Sequence, residues 1–482
     1  MAQAQGACDV AGKVFSITDF RKGLDTRRSP LTAPSGTLRI LENAVINQGG
    51  EIEKRLAFVK VATIDPAYGY VFGQGNKLHV FAVGTTAPPI TPGTCPVPIV
   101  PHLLADPGEV ITELFDVEAY NDKFQVTGIG VSGATHVWYD GVILIEADTT
   151  PAHGKYSRTY KTKMYRTDDV YLRFAGVGDP SVTDPSSTAH PGAGFINLAI
   201  NDPDGEVLQG MEVFYDKMAV LARLVTQIWS LDPDPSNDQL NQVLRIGTLA
   251  PHSIMQFGTG DILFLSDSGV RSLKALTINL AASVSDVGSA VDLIVSPVMR
   301  ALPAAAADAR AVVQPIYGRY WLRLDDTIYV LSYFPAGDIT AWSTFTTDFE
   351  VCEWAVVENR VFTRDDAGNL YLYGGPTLDA YDPDMKVTVR TPHHAAEEPT
   401  TNKRVKSVDV ICTGTWTVAL GMLPNKTDLF ELCATIDGTT VGLQSLPFAG
   451  YGTHVGVHME HTGSGPATLS AIHFNLQEGW TK

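Results

Sequence analysis

The chain has 482 residues, 44% of them apolar, with 53 acidic against 35 basic residues and a net charge of −18. That length exceeds what one ordinary core supports, and the acidic balance argues against a general binder of nucleic acid or of anionic membrane. No apolar run approaches the roughly 18 to 20 residues of a membrane helix, and Met1 to Lys13 lacks the basic start and apolar centre of a secretion signal, so a soluble product made in the cytosol is expected.

Residues 1–62 read as an extended arm and first strands, not as a domain. Arg21, Lys22, Arg27, Arg28, Arg39, Lys54, Arg55 and Lys60 make this stretch net positive, and Gly23, Pro30, Pro34, Gly36, Gly49 and Gly50 punctuate it. Arg21, Lys22, Arg27, Arg28, Lys54 and Arg55 are candidate contacts to an acidic neighbour, since a short basic arm on an acidic body favours a protein partner over phosphate. Repeated copies of such a body and arm suit a ring.

From 63 to 384 hairpins dominate. Three times an apolar strand runs into an Asp-Asp pair and returns as a strand, at Asp168-Asp169, Asp325-Asp326 and Asp365-Asp366. Alternation gives each arm one buried face, and Asp, Asn and Gly supply the turn conformations. A looser form of the unit recurs at Asn76, Asp122, Asp216, Gly260, Gly318 and Asn359, at intervals of roughly 40 to 57 residues, which brackets a propeller blade. The predicted fold is all-β: a β-propeller of six to seven blades with uneven repeats, a helical insertion and a small C-terminal β-sandwich-like domain. An irregular β-sandwich with many hairpins is the alternative.

Near 285–311, Val287, Val291, Ile294, Val295, Val298 and Met299, followed by Ala304 to Ala307, predict one or two helices divided by Pro297 and Pro303, placed between blades where a subunit contact would form. After Asp382 a linker leads into residues 385–482. Alternating segments at 408–411, 416–420, 454–458 and 471–476 predict a small antiparallel sandwich there.

Gly128-Ile129-Gly130-Val131-Ser132-Gly133 fits GxGxxG, but a dinucleotide fingerprint needs a helix after it, and Thr135 to Leu144 reads as another hairpin. The Asp pairs are assigned to turns, because adjacent strand residues point to opposite faces and cannot converge on one substrate. Leu265 to Ser272 holds the Asp-x-Gly of a sialidase-type box without its leading Ser and closing Trp. His454, His458 and Glu460 share a strand face, with His461 and His473 nearby, and are expected as a solvent-facing stripe, as are His393 and His394. Asn201 to Glu206 has too few ligands for a calcium loop. Cys8, Cys95, Cys352, Cys412 and Cys433 form no CxxC pair and read as buried or incidental thiols. No catalytic, cofactor or metal residue is predicted, and the chain is not expected to be an enzyme.

The stretch Asp19-Phe20-Arg21-Lys22-Gly23-Leu24-Asp25-Thr26-Arg27-Arg28-Ser29-Pro30, continuing through Leu38, Asn43-Ala44, Gly50 and Lys54-Arg55, resembles the opening of tail nozzle proteins of tailed bacteriophages, which include packaged-DNA stabilisation proteins. A second block is similar too: Gly247 to Ser253, Gly260 to Ser266, Gly269-Val270 and Ser272-Leu273. Asp25 stands where the pattern usually has Asn, and Leu56-Ala57-Phe58 where Pro-Gly is common. The resemblance implies a structural virion protein of the tail, a homohexameric ring below the head-to-tail adaptor. Such a ring encloses the DNA exit channel and retains packaged DNA, without sequence-specific DNA binding or membrane contact, and attaches distal tail or fibre proteins. The alternatives are a receptor- or glycan-binding tail propeller and, third, a propeller glycoside hydrolase.

Overall fold

The computed structural model describes residues 12–83, 88–106, 109–120, 123–130, 133–139, 144–146, 155–178, 192–202, 204–274, 287–396, 399–443 and 445–478. Residues 58–327 and 347–378 form one compact unit, and residues 1–57, 328–346 and 379–482 form another. The expected boundaries near 62 and 384 therefore move, and the C-terminal domain is not self-contained: the basic arm and an internal segment are built into it.

The first unit is a β-propeller. Antiparallel meanders follow one another, for example Ser157–Tyr160, Lys163–Asp168, Tyr171–Phe174 and Gly194–Asn197, then Gly210–Phe214, Lys217–Leu221, Thr226–Ser230 and Gln239–Leu244. Five sheets lie wholly within the unit and give a five-blade arrangement, fewer than the six to seven expected. The difference has a local cause. One seven-stranded sheet runs two meanders together through the pairing of Ala105 with Val110 and Asp106 with Glu109, and the hairpin Arg310–Gln314 with Arg319–Leu324 stands outside the five.

Seven strands consequently line the central cavity: β1 (Tyr68–Gln74), β2 (Glu109–Tyr120), β3 (Ser157–Tyr160), β4 (Gly210–Phe214), β5 (Met255–Phe257), β6 (Arg310–Gln314) and β7 (Glu353–Val357). Neighbouring blades hide their faces against each other. Tyr165, Leu172 and Phe174 of one sheet pack with Met211, Met218, Val220 and Trp229 of the next. Each such side chain contributes about 1.5 to 3 kcal/mol on burial, which no blade gains alone.

The Asp pairs sit at turns, as expected. Asp169 and Asp325 take the left-handed conformation, with φ of 53° and 56°. Asp365 instead folds its turn through its side chain, accepting from the Asn369 N–H and Nδ2 at 2.7 Å each and from the Tyr371 hydroxyl at 3.1 Å.

The helical insertion comprises α1 (Asp292–Ala301) and α2 (Pro303–Ala307). Pro303 opens α2, where a missing N–H costs nothing, but Pro297 lies inside α1 and does not divide it, contrary to expectation. Arg271 clamps Asp292 in the first turn of α1 with two hydrogen bonds of 3.0 Å.

The second unit is a two-sheet β structure. One sheet runs in the order Leu446–Gly452, Lys403–Thr413, Thr468–Glu478, Ile52–Lys54 and Ala44–Ile46, with Lys13–Ile17 also paired to Thr468–Glu478. The other includes Ile339–Thr346, Ile40–Glu42, Val387–Arg390, Gly456–His461, Thr415–Gly421 and Glu431–Asp437. Trp342, Trp416, Val389, Met459, Ile472 and Phe474 fill the interior.

Candidate functional site

The propeller cavity measures about 640 Å³ and is lined by β1 to β7, and its wall is charged. Arg158 of β3 gathers three carboxylates. Its Nη1 is 3.2 Å from Asp116 Oδ2 and 3.7 Å from Glu118 Oε2, and its Nε is 3.3 Å from Glu212 Oε2. Asp116 also accepts from the Ser157 N–H and the Tyr70 hydroxyl, Glu118 from the Thr159 N–H at 2.9 Å, and Glu212 from the Val213 N–H at 2.9 Å. A second pair, Arg310 of β6 with Glu353 of β7, is joined by Asp308 at 3.3 Å.

Burial sets the protonation pattern. Burial raises the Glu118 carboxyl to about 7, outweighing the pull of Arg158 and helped by neighbouring Asp116 and Glu212. The Glu353 carboxyl is likewise pushed up by burial, against the attraction of Arg310. His252, beneath the edge of the Tyr156 ring at 5.6 Å, is pulled down to about 3 by burial and the two arginines, so its imidazole is neutral. The network therefore ties four different innermost strands, β2, β3, β4 and β1, around one guanidinium.

The candidate residues of the arm divide into two groups. Arg21, Lys22, Arg27 and Arg28 are exposed. Arg21 pairs with Asp19 at 2.8 Å and Arg27 with Asp25 at 2.7 Å. Burial would raise the Asp25 carboxyl, but the Arg27 hydrogen bonds outweigh it and hold the group below its usual range.

Lys54 and Arg55, by contrast, are buried and form part of a polar knot. Lys54 donates to the carbonyls of Asp382 and Gly463. Arg55 donates to Asn43 Oδ1 at 3.0 Å, to Leu56 O at 2.9 Å and to Thr346 O at 2.7 Å. Asn43, at φ 56°, donates in turn to Thr346 Oγ1 and Lys386 O and accepts from the Thr346 N–H. These two cations are structural, because three chain segments converge on them and leave carbonyls that only a buried donor satisfies.

The other motifs resolve plainly. After Gly128 and Gly130 the chain continues as the strand Gly133–Tyr139, with Gly130 paired to Gly133, so no helix follows the GxGxxG. His393 and His394 are buried, not solvent-facing; burial lowers both to about 4, and the His393 ring lies tilted against Phe430 at 5.6 Å. His458 and Glu460 do share a face and bond at 2.9 Å, while His454 precedes the strand. Among the described residues no group of three or more His, Cys, Asp or Glu is placed to hold a metal ion. Asp202 caps its own loop by accepting from the Asp204 and Glu206 N–H groups. Cys95, Cys352, Cys412 and Cys433 are free thiols, and Cys8 lies outside the described residues.

Sequence reasoning missed the cavity wall. Its signal was available in the alternation of the inner strands: Asp116 and Glu118 flank Val117, Glu212 sits between Met211 and Val213, and Glu353 precedes Trp354. A charge at a period-two position of a buried strand needs a partner from another strand.

Fold and wall together define an all-β propeller protein with a charged central cavity and an appended two-sheet unit. No family model and no curated protein matches the chain. Among solved structures, it is similar to the computationally designed Ika8 protein (TM-score 0.37, 9% identity, 66% of this chain and 99% of that one). It is also similar to BamB from Moraxella catarrhalis (0.35, 10%, 67% and 97%) and to the Neurospora crassa Pan2 WD40 domain (0.32, 10%, 55% and 75%). At such values the likeness carries no chemistry, and the propeller assignment rests on the strand order itself.

Proposed function

We propose that this chain is a structural subunit of a bacteriophage tail, a nozzle-type protein located in the virion. Copies form a ring, a hexamer by the resemblance, below the head-to-tail adaptor and around the path by which DNA leaves, and the ring holds distal tail or fibre proteins. One observation carries the reading: the two blocks that resemble nozzle proteins both fall on positions the backbone demands. Gly23 has φ 55°, and a Cβ there would sit 2.8 Å from Ala341 Cβ and Trp342 O. A Cβ on Gly247 would sit 2.0 Å from Ala222 O. Thr248 bonds Leu265 O at 2.7 Å, and Ser253 accepts the Leu265 N–H at 2.9 Å, which ties the second block to the strand beside it. That the resembling residues include such positions, along with Asn43, Lys54 and Arg55, is the support for the reading.

In this reading the DNA path lies in the ring of copies and not in a single propeller. Arg158 ties strands across the cavity wall, and the excess of carboxylates repels phosphate. The exposed Arg21, Lys22, Arg27 and Arg28 are the contacts to an acidic neighbouring copy or to the adaptor. The chain is read as non-enzymatic, because the three carboxylates nearest each other are all committed to Arg158. Mass spectrometry and electron microscopy of purified particles test the proposal. A ring at the tail containing this chain is the expected result, and a protein that is monomeric and absent from particles would overturn it.

A further inference from the structure

We propose that the imidazoles of His393 and His394 form an acid-sensitive latch, which keeps the arm loop around Pro30 on the two-sheet unit and lets go of it when the rings take up protons. The stretch from Arg390 to His394 is where that loop is tethered. The Arg39 N–H donates to Arg390 O at 2.7 Å, and the His393 N–H donates to Pro30 O at 2.9 Å. Other backbone bonds of the loop turn inward: the Thr32 and Ala33 N–H groups return to Ser29 O, and the Thr37 N–H to Pro34 O. The ring of Phe15, on the strand Lys13–Ile17, lies 5.6 Å from the His394 ring. Arm residues thus meet both histidines, and the loop they hold carries the exposed Arg27 and Arg28.

Both rings are enclosed as neutral groups. His393 and His394 are 1% and 7% exposed, and the Nε2 of each is buried without a hydrogen-bond partner. A protonated imidazole carries an N–H at both nitrogens, so either ring would then bury a charged donor with nothing to accept it. The floor beneath His393 is tight. Its ring rests on Gly421 and Gly456, which face each other on paired strands; a Cβ on the first would sit 2.7 Å from Nε2, and one on the second 3.0 Å from Nδ1.

The cations that face the rings add to the effect. Arg390 and His454 disfavour a charge on His393, and His393 and His454 disfavour one on His394, while Lys403 does the same to His454. Asp428 attracts a proton to His393, but it is exposed and accepts from Arg390 at 2.9 Å. With burial as the largest cause, both rings titrate near 4 in the closed form, against an ordinary 6.5. The stabilisation they give is complete above pH 6.5 and is lost as pH falls toward 4. Thr415–Gly421 and Gly456–His461 are paired along their whole length, whereas the loop around Pro30 is held at isolated points, so the loop is the side that yields.

The test is hydrogen exchange of the full chain, read by mass spectrometry at pH 7.5 and pH 5.5 and corrected for the intrinsic rate at each pH. Each histidine that stays neutral only in the closed form adds about tenfold to opening over this interval. We expect protection across residues 31–39 and 390–394 to fall at least tenfold, while the strands Lys403–Thr413 and Thr415–Gly421 keep theirs. In His393→Gln/His394→Gln the contrast should vanish, because an amide does not titrate. Unchanged protection at pH 5.5, equal loss in the two control strands, or the full contrast in a folded double variant each overturns the proposal. If the double variant does not fold, single His394→Gln, expected to cut the contrast about tenfold, and the unaltered chain decide. The latch needs no ring of copies, so its failure would leave the tail assignment untouched.

Discussion

The two units both bury charge, and they neutralise it by opposite means. In the two-sheet unit, Lys54 and Arg55 donate to carbonyl oxygens and to the Asn43 side chain. In the propeller, Arg158 faces Asp116, Glu118 and Glu212. Neutral dipoles satisfy a cation at any pH, so the knot is a fixed splice between chain segments. Carboxylates in excess satisfy a cation and leave charge over, so the stability of the propeller wall depends on pH.

The largest effect should come from removing the shared cation of the propeller. Arg158→Met leaves the buried Asp116 and the half-buried Glu118 and Glu212 facing one another and should cost about 3 kcal/mol at pH 8 in denaturant unfolding. The cost should shrink at pH 5, as protons replace the guanidinium. A cost that is equal at both pH values would break the contrast drawn between the units.

Arg55→Ala should cost roughly 3 kcal/mol, because it strands two carbonyls and one Asn43 lone pair in the interior. Here the loss should change less between pH 5 and pH 8, since the Asn43, Leu56 and Thr346 acceptors are neutral. Measuring both variants across the same pH range sharpens the comparison directly.

Glu118→Gln should act with the opposite sign. The folded carboxyl titrates near 7 against an ordinary 4.5, so the wild-type protein holds this stabilisation fully below pH 4.5 and loses it as pH rises through 7. The loss is at most about 3.5 kcal/mol, at about 1.4 kcal/mol per unit. Gln keeps an acceptor for the Thr159 N–H and sheds the charge, so the variant should be more stable than wild type at pH 8 and show a flatter profile. A destabilised variant at pH 8 would show that Arg158 needs all three carboxylates.

The smallest effect on folding belongs to the arm. Reversing Arg21, Lys22 and Arg28 to Glu should leave the unfolding midpoint unchanged, because these side chains are solvated. Under the proposed function the same variant should fail to form rings or enter particles, by light scattering and electron microscopy.

Much of the propeller was legible in the chain, because hairpins are local: Asp169, Asp325, Asn359 and Gly318 adopt positive φ as the turn pattern requires, and period-two alternation marks one buried face. The helical insertion was equally visible in its apolar spacing, although Pro297 lies inside α1 rather than ending it. Blade count was not legible, since the merging of two meanders depends on a two-residue pairing that no motif marks.

Sequence composition and periodicity were enough to settle an acidic, all-β, hairpin-built protein, since those properties depend on near neighbours along the chain. Which charges meet was settled in space. Lys54 and Arg55 look like their exposed neighbours Arg27 and Arg28 in a string of basic residues, yet segments around 43, 346, 382 and 463 close over them. Glu118, Arg158 and Glu212 are separated by about the length of a blade and become one site because each lies on an innermost strand. Electrostatic partners are chosen by distance through the fold, and a linear pattern does not carry that distance.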